Sequence, residues 1–381
     1  MTHEQLQSIL TAMLQSGEGI SDCLFLNGKA PLVECYGKLK ELAMDPAVLE
    51  PVHIDAISKL LIEDNERLRN DLENTGSCDT SYSLPGVARF RANIFRQNNH
   101  TGIVMRKLQS QVPSIESLGL PPIFNQMVNE KFGIIFVTGS TGSGKTTTLA
   151  AILNEVNQTK EVHVVTLEDP IEFVHPHAKA AFSQRELGRD FFDFATGLRA
   201  ALRQAPKVIL LGEIRDRETM EIALTASETG HLVLSTLHTI NAGQSINRIL
   251  GFFTTDEEKQ IRERLADTLR YVVSQRLIPK IGDGRLLVTE IMGSSLRTRE
   301  TLIYGESENR TFQEIIEAGS TLGWHSFDQS LMQAFEQDLI TEETALLFCT
   351  HKNKMRRDLE MAKKLRYPVD DEPSGLKMAT Y

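Results

Sequence analysis

The chain has 381 residues, 41% hydrophobic and 24% charged, with a formal net charge of −10. That length exceeds what one hydrophobic core usually supports, so two domains are expected, and the composition excludes a disordered or fibrous chain. The acidic balance argues against a nucleic-acid partner, whose phosphates need a basic surface, and the scattered Cys23, Cys35, Cys78 and Cys349, with no CxxC pair, suggest neither a zinc cage nor a disulfide framework.

The first residues, MTHEQLQSILTAML, form a short amphipathic pattern without the basic start and long apolar run of a secretory signal. No stretch of about 18 apolar residues follows, so a cytoplasmic protein with no direct membrane span is expected. Up to about residue 110 the patterns mix. LVECYGKLKEL reads as strand, turn and strand, DAISKLLIEDNERLRNDLE has helical spacing, and VARFRANIFRQ alternates with period two. An amino-terminal α/β domain follows, and QVPSIESLGLPPIF, with Pro113, Pro121 and Pro122, reads as an ordered elbow.

From Phe132 short apolar strands alternate with helices: GIIFVTG, KTTTLAAILNEV, HVVTLED, TGLRAALRQ, VILLGE and HLVLSTL. Apolar runs separated by helices indicate a parallel sheet covered on both faces. After Asp256 the pattern is mostly helical, with RLLVTEIM as a strand, and VDDEPSGLKMATY has little to bury.

Within this pattern GSTGSGKT, Gly139 to Thr146, fits GxxxxGK[ST] in full, between a strand and a helix. Glycines let successive backbone N–H groups turn around a β-phosphate, a lysine reaches the β and γ oxygens, and a hydroxyl at the helix start ligates magnesium. ATP and Mg2+ are therefore expected on Gly139, Ser140, Thr141, Gly142, Ser143, Gly144, Lys145, Thr146 and Thr147, with Thr146 on the metal.

Hydrolysis also needs a carboxylate at the end of a neighbouring strand. TLEDPIEFVH offers Glu168, Asp169 and Glu172, and VILLGEIRDRET offers Glu213 and Asp216. An acidic residue at a strand end can equally be a helix cap. VILLGE is an imperfect Walker B, with Gly212 where Asp is usual, so Glu213 is expected to reach magnesium through a water and Glu168 to act on the attacking water, the reverse division remaining open. In TGHLVLSTLHT, His238 ends the strand on the ligand edge and is preferred over His231 as a γ-phosphate sensor.

The blocks GSTGSGKT, TLEDPIEFVH, GEIRDRETMEIALTASETGH and STLHTINA, with RFRANIFRQ upstream, together resemble the secretion ATPase superfamily, and most closely the type IV pilus retraction ATPases of twitching motility. The resemblance runs from about Val33 to about Leu365. It implies an α/β fold in which a PAS-like amino-terminal domain (1–112) joins, through a linker (113–125), a RecA-like P-loop ATPase domain with a helical carboxyl-terminal part (126–365), followed by a flexible tail (366–381).

The resemblance also implies a homohexamer that hydrolyses ATP to power pilus retraction. Its expected partners are an inner-membrane platform protein and a paralogous pilus ATPase. It puts Glu168 and Asp169 in an aspartate box, Glu213 in the atypical Walker B, and His231 and His238 in a histidine box. Arginines from the amino-terminal domain act on the γ-phosphate in such enzymes, which makes Arg89, Arg91 and Arg106 the positions to test, Arg89 being also compatible with a plain surface strand arginine. An accessory paralogue, which shares FDQSL at Phe327 to Leu331, and a pilus assembly or type II secretion ATPase are the alternatives; the latter commonly carries a tetracysteine motif that these cysteines do not form. An AIRNLI-like helix of many retraction ATPases is replaced by SSLRTRETLIYGE, in which Arg299, Leu302 and Ile303 keep part of the pattern.

Overall fold

A computed structural model describes residues 1–108 and 111–366, so all of the expected tail beyond Arg366 lies outside the described residues. The chain divides into two compact units: Met1–Leu120, Val128–Gly133 and Thr146–Ser235 form the first, and Pro121–Met127, Ile134–Lys145 and the chain from Thr236 form the second.

The first unit begins with α1 (His3–Gln15), β1 (Ile20–Phe25), β2 (Leu32–Cys35), β3 (Lys38–Glu41), α2 (Pro51–Ile62), α3 (Glu66–Asn74), β4 (Ser77–Leu84), β5 (Ala88–Gln97) and β6 (His100–Leu108). The strands form one sheet, β3-β2-β1-β6-β5-β4, antiparallel throughout. Period two in VARFRANIFRQ buries Phe90, Ala92 and Ile94 completely. These meet Leu6, Leu10 and Met13 of α1 and Ile54, Ile57 and Leu61 of α2, each set spaced for one helix face. The helical stretch after Asp55 is two helices. Glu63 turns the backbone to a φ of 50° and Asn65 Oδ1 accepts from Leu68 N to cap α3. The elbow is pinned: Asn154 Nδ2 donates to Pro113 O at 3.0 Å, and Ile115 is buried.

Next come α4 (Ile123–Val128), β7 (Gly133–Thr138), α5 (Lys145–Thr159), β8 (His163–Glu168), β9 (Ala181–Glu186), α6 (Phe194–Ala201), β10 (Val208–Leu211), α7 (Arg217–Glu228) and β11 (Leu232–Leu237). In the first unit β11, β10, β8 and β9 lie side by side in that order, all parallel. Every residue of β10 is buried, as a run without polar alternation requires.

The described residues end with α8 (Ala242–Leu250), α9 (Thr255–Thr268), β12 (Leu269–Pro279), β13 (Arg285–Gly293), α10 (Leu296–Tyr304), α11 (Phe312–Ala318), α12 (Phe327–Glu336), α13 (Glu342–Phe348) and α14 (Lys352–Arg366). In the second unit β12 pairs parallel with β7 and antiparallel with β13. It corrects the expectation of a single strand after Asp256. The helix α9 passes directly into β12 at Leu269, whose ψ of 126° starts the extended chain with no Gly or Pro to mark the change. Phe327 and Leu331 of α12 pack on Ile278, Val288, Met355 and Leu359. Asp328 is buried and its carboxylate accepts from Thr350 N (2.6 Å) and His351 N (3.0 Å), holding the entry to α14. The FDQSL motif is therefore a packing and capping device within this unit.

Candidate active site

The phosphate loop follows β7. Gly139, Gly142 and Gly144 have φ of 146°, 80° and 91°, values that side chains disfavour. A Cβ on Gly139 would lie 2.5 Å from Ser143 Oγ and 2.7 Å from Gln275 O, so the loop can close only on glycine. Lys145 opens α5 with its ammonium on Gly139 O (2.9 Å) and Ser140 O (3.1 Å), curled over its own loop. Ser140, Thr141 and Gly142 are exposed, whereas Thr146 and Thr147 are half-buried in the first turn of α5. Ser143 Oγ is buried without a hydrogen-bond partner among the described residues. A glycine turn, an ammonium resting on two carbonyls of its own loop and a helix start fit a polyphosphate.

In the first unit, β8 and β10 are parallel neighbours with Leu167 opposite Leu211, so Glu168 and Glu213 come to the same carboxyl edge. Gly212 N donates to Leu167 O at 2.8 Å. A Cβ at Gly212 would stand 3.3 Å from that oxygen and 3.5 Å from Glu168 Cα, a physical reason for glycine where an Asp is usual. Glu213 Oε1 pairs with Arg215 at 2.5 Å. Asp216 is a helix cap: its carboxylate accepts from Thr219 N (2.8 Å) and Thr219 Oγ1 (2.9 Å).

Glu168 is 7% exposed. Its Oε1 accepts from Thr166 Oγ1 at 2.6 Å and from Gln184 Nε2 at 3.3 Å. Burial pushes its pKa up to about 7, the Glu172 charge acting in the same direction and the two hydrogen bonds and Arg89 against it. Burial also raises Asp169, with Arg67 and Arg91 pulling it back down. At neutral pH a carboxyl with that pKa is present in both protonation states.

The arginines divide. Arg89 is 18% exposed and pairs with Glu186 Oε2 on β9 at 2.5 Å. It is no surface arginine. Arg91 lies 3.5 Å from Asp79 on the neighbouring strand and within electrostatic reach of Asp169. Arg106, 70% exposed, is tied at 3.0 Å to Asp22 on β1 and is not among the charges that act on Glu168 or Asp169. His231 closes the turn into β11 through Nδ1 and Ala226 O (2.9 Å), whereas His238, one residue past β11, is exposed.

Four residues at this edge escaped the sequence reading: Thr166, Gln184, Glu186 and Arg67. Thr166 was within reach, because residues two apart on a strand share a face. Gln184 and Glu186 lie on β9, whose AFSQRE carries no apolar run, and Arg67 comes from α3, far away in sequence.

A model of the type II/IV secretion system protein family matches residues 82–334. The chain belongs to that family. This secretion ATPase is 41% identical over 330 residues to the type IV pilus retraction ATPase PilT of Pseudomonas aeruginosa, covering 86% of this chain and 94% of PilT. It is 34% identical over 353 residues to the type IV pilus ATPase PilU of the same organism, covering 92% and 90%. A crystal structure of the pilus retraction motor PilT with bound ADP superimposes with a TM-score of 0.82 at 37% identity, over 92% of this chain and 99% of that one. The secretion ATPase is thus of the PilT and PilU type, an α/β enzyme with an amino-terminal domain and an ATPase domain, and it uses nucleotide. Among the described residues no helix is long and apolar enough to cross a membrane.

Proposed function

We propose that this ATPase is the motor of type IV pilus retraction, a homohexamer acting at the cytoplasmic face of the inner membrane through a platform protein. The observation that carries the reading is the match to PilT, which extends through 94% of that protein and so includes more than the nucleotide core.

In the proposed mechanism the backbone N–H groups from Gly139 to Thr147 grip the phosphates, and the Lys145 ammonium leaves Gly139 O and Ser140 O for the β and γ oxygens. Thr146 Oγ1 and, through a water, Glu213 would hold magnesium, which would supply positive charge to offset that of the phosphates. Glu168 orients the attacking water and takes its proton, which its raised pKa supports. His238 senses the γ-phosphate, and Arg91 meets it when the amino-terminal domain (1–112) closes on the ATPase domain (126–365) across the elbow (113–125). Arg106 keeps the same proposed role only by leaving Asp22. Arg89 is already engaged by Glu186.

The second reading, an accessory paralogue working through a principal retraction ATPase, draws on the PilU match over 92% of this chain. Imaging labelled pili in the source cells after deletion of the gene, with Glu213→Ala supplied back in parallel, separates the readings. Abundant pili that extend and fail to retract support the retraction motor. Rescue by Glu213→Ala moves the protein to the accessory class, and bald cells make it an assembly motor.

A further inference from the structure

β9 contributes two polar residues to one face, Gln184 and Glu186, both directed at the segment around Glu168. The Gln184 amide is fixed from three sides. Its Oε1 accepts from His175 N at 2.8 Å, which turns Nε2 toward Phe173 O (2.8 Å) and Glu168 Oε1 (3.3 Å). Thr166 approaches the same carboxylate oxygen from within β8, at 2.6 Å. Two donors of different strands thus converge on one oxygen of a buried carboxylate. The carboxylate plane is thereby set, and a general base must be held in one orientation to be effective.

We infer that Gln184 and Thr166 are positioning residues for Glu168: they anchor its Oε1 and so aim Oε2 at the attacking water. The inference rests on the reading of Glu168 as the base. It gives β9, a strand outside every sequence motif, a part in the reaction. The charged groups facing Glu168 are Glu172 from the loop after β8 and Arg89 from β5; neither approaches Oε1 as a hydrogen-bond donor. Only the two positioning residues both orient the carboxylate and favour its ionised form.

The test compares ATP turnover of the full-length enzyme across pH 5.5 to 9 for the parent, Gln184→Met, Thr166→Val, Thr166→Ser and Glu168→Gln, with the Kd of a non-hydrolysable ATP analogue for each. Gln184→Met and Thr166→Val should each lower kcat near neutral pH by on the order of tenfold and move the acid limb of the kcat profile upward by about one pH unit. The analogue Kd should stay within about twofold, and Thr166→Ser, which restores the hydroxyl, should recover the parental profile. An unmoved acid limb in Gln184→Met and Thr166→Val, beside a dead Glu168→Gln, overturns the positioning role and leaves Glu168 as the base. Parental turnover in Glu168→Gln removes the base itself. Should Gln184→Met fail to fold, Thr166→Val decides: lost kcat with an unmoved limb and no rescue by Thr166→Ser is what a merely structural role gives, and overturns the inference.

Discussion

Glu168 carries two consequences of its burial, one for catalysis and one for stability. Its pKa rises from the ordinary 4.5 to about 7 because the charged form is desolvated. Between those values the folded chain holds a proton that the unfolded chain has released, so stability falls as pH rises through that window. A shift of that size amounts to roughly 3 kcal/mol. Glu168→Gln, which never ionises, should therefore melt above the parent at pH 8 and converge with it below about pH 4, as read by calorimetry. Equal melting points at both values would mean that water reaches the carboxylate more freely than its 7% exposure allows.

At the scale of elements, one buried carboxylate caps the entry to the last carboxyl-terminal helix. Asp328 satisfies two backbone N–H groups that precede α14, and the Arg276 guanidinium lies 3.7 Å over the ring of the adjacent Phe327. Asp328→Ala leaves those N–H groups unmet and should cost about 2 kcal/mol in urea unfolding, with nucleotide affinity unchanged. A cost near zero would mean that α14 needs no cap there. Among the parallel strands, those that the sequence disclosed are the ones where an apolar run stops at the loop that carries the site: β7 at the phosphate loop, β8 at Glu168, β10 before Gly212 and Glu213, and β11 before His238. Those it hid lack either the run or the stop. β9 has Gln184, Arg185 and Glu186 in its last three positions, and β12 emerges from α9 without a breaking residue. The same difference governs the site. Glu168 was legible from its position alone, whereas Gln184 and the true partner of Arg89 become visible only when β9 takes its place beside β8.

For the whole molecule, ring formation is the property most readily checked. Sedimentation of the full chain with a non-hydrolysable ATP analogue should give a species of six times the chain mass. A stable monomer or dimer at micromolar concentration would sink the hexameric motor.

The ion pair between Arg89 and Glu186 limits how such a chain can be taken apart or recombined. Glu186 is 4% exposed, and it draws Arg89 and the Ser81 hydroxyl, at 2.7 Å, from sequence that precedes the elbow. A fragment beginning after Pro113 would lose both of those neighbours and keep on that carboxylate only Arg189, at 3.8 Å, and the Ile171 N–H. The segments on either side of the elbow are therefore not interchangeable cassettes. A chimera that took its first hundred residues from a relative would have to import the matching cation and hydroxyl as well, so these three positions should be inherited together.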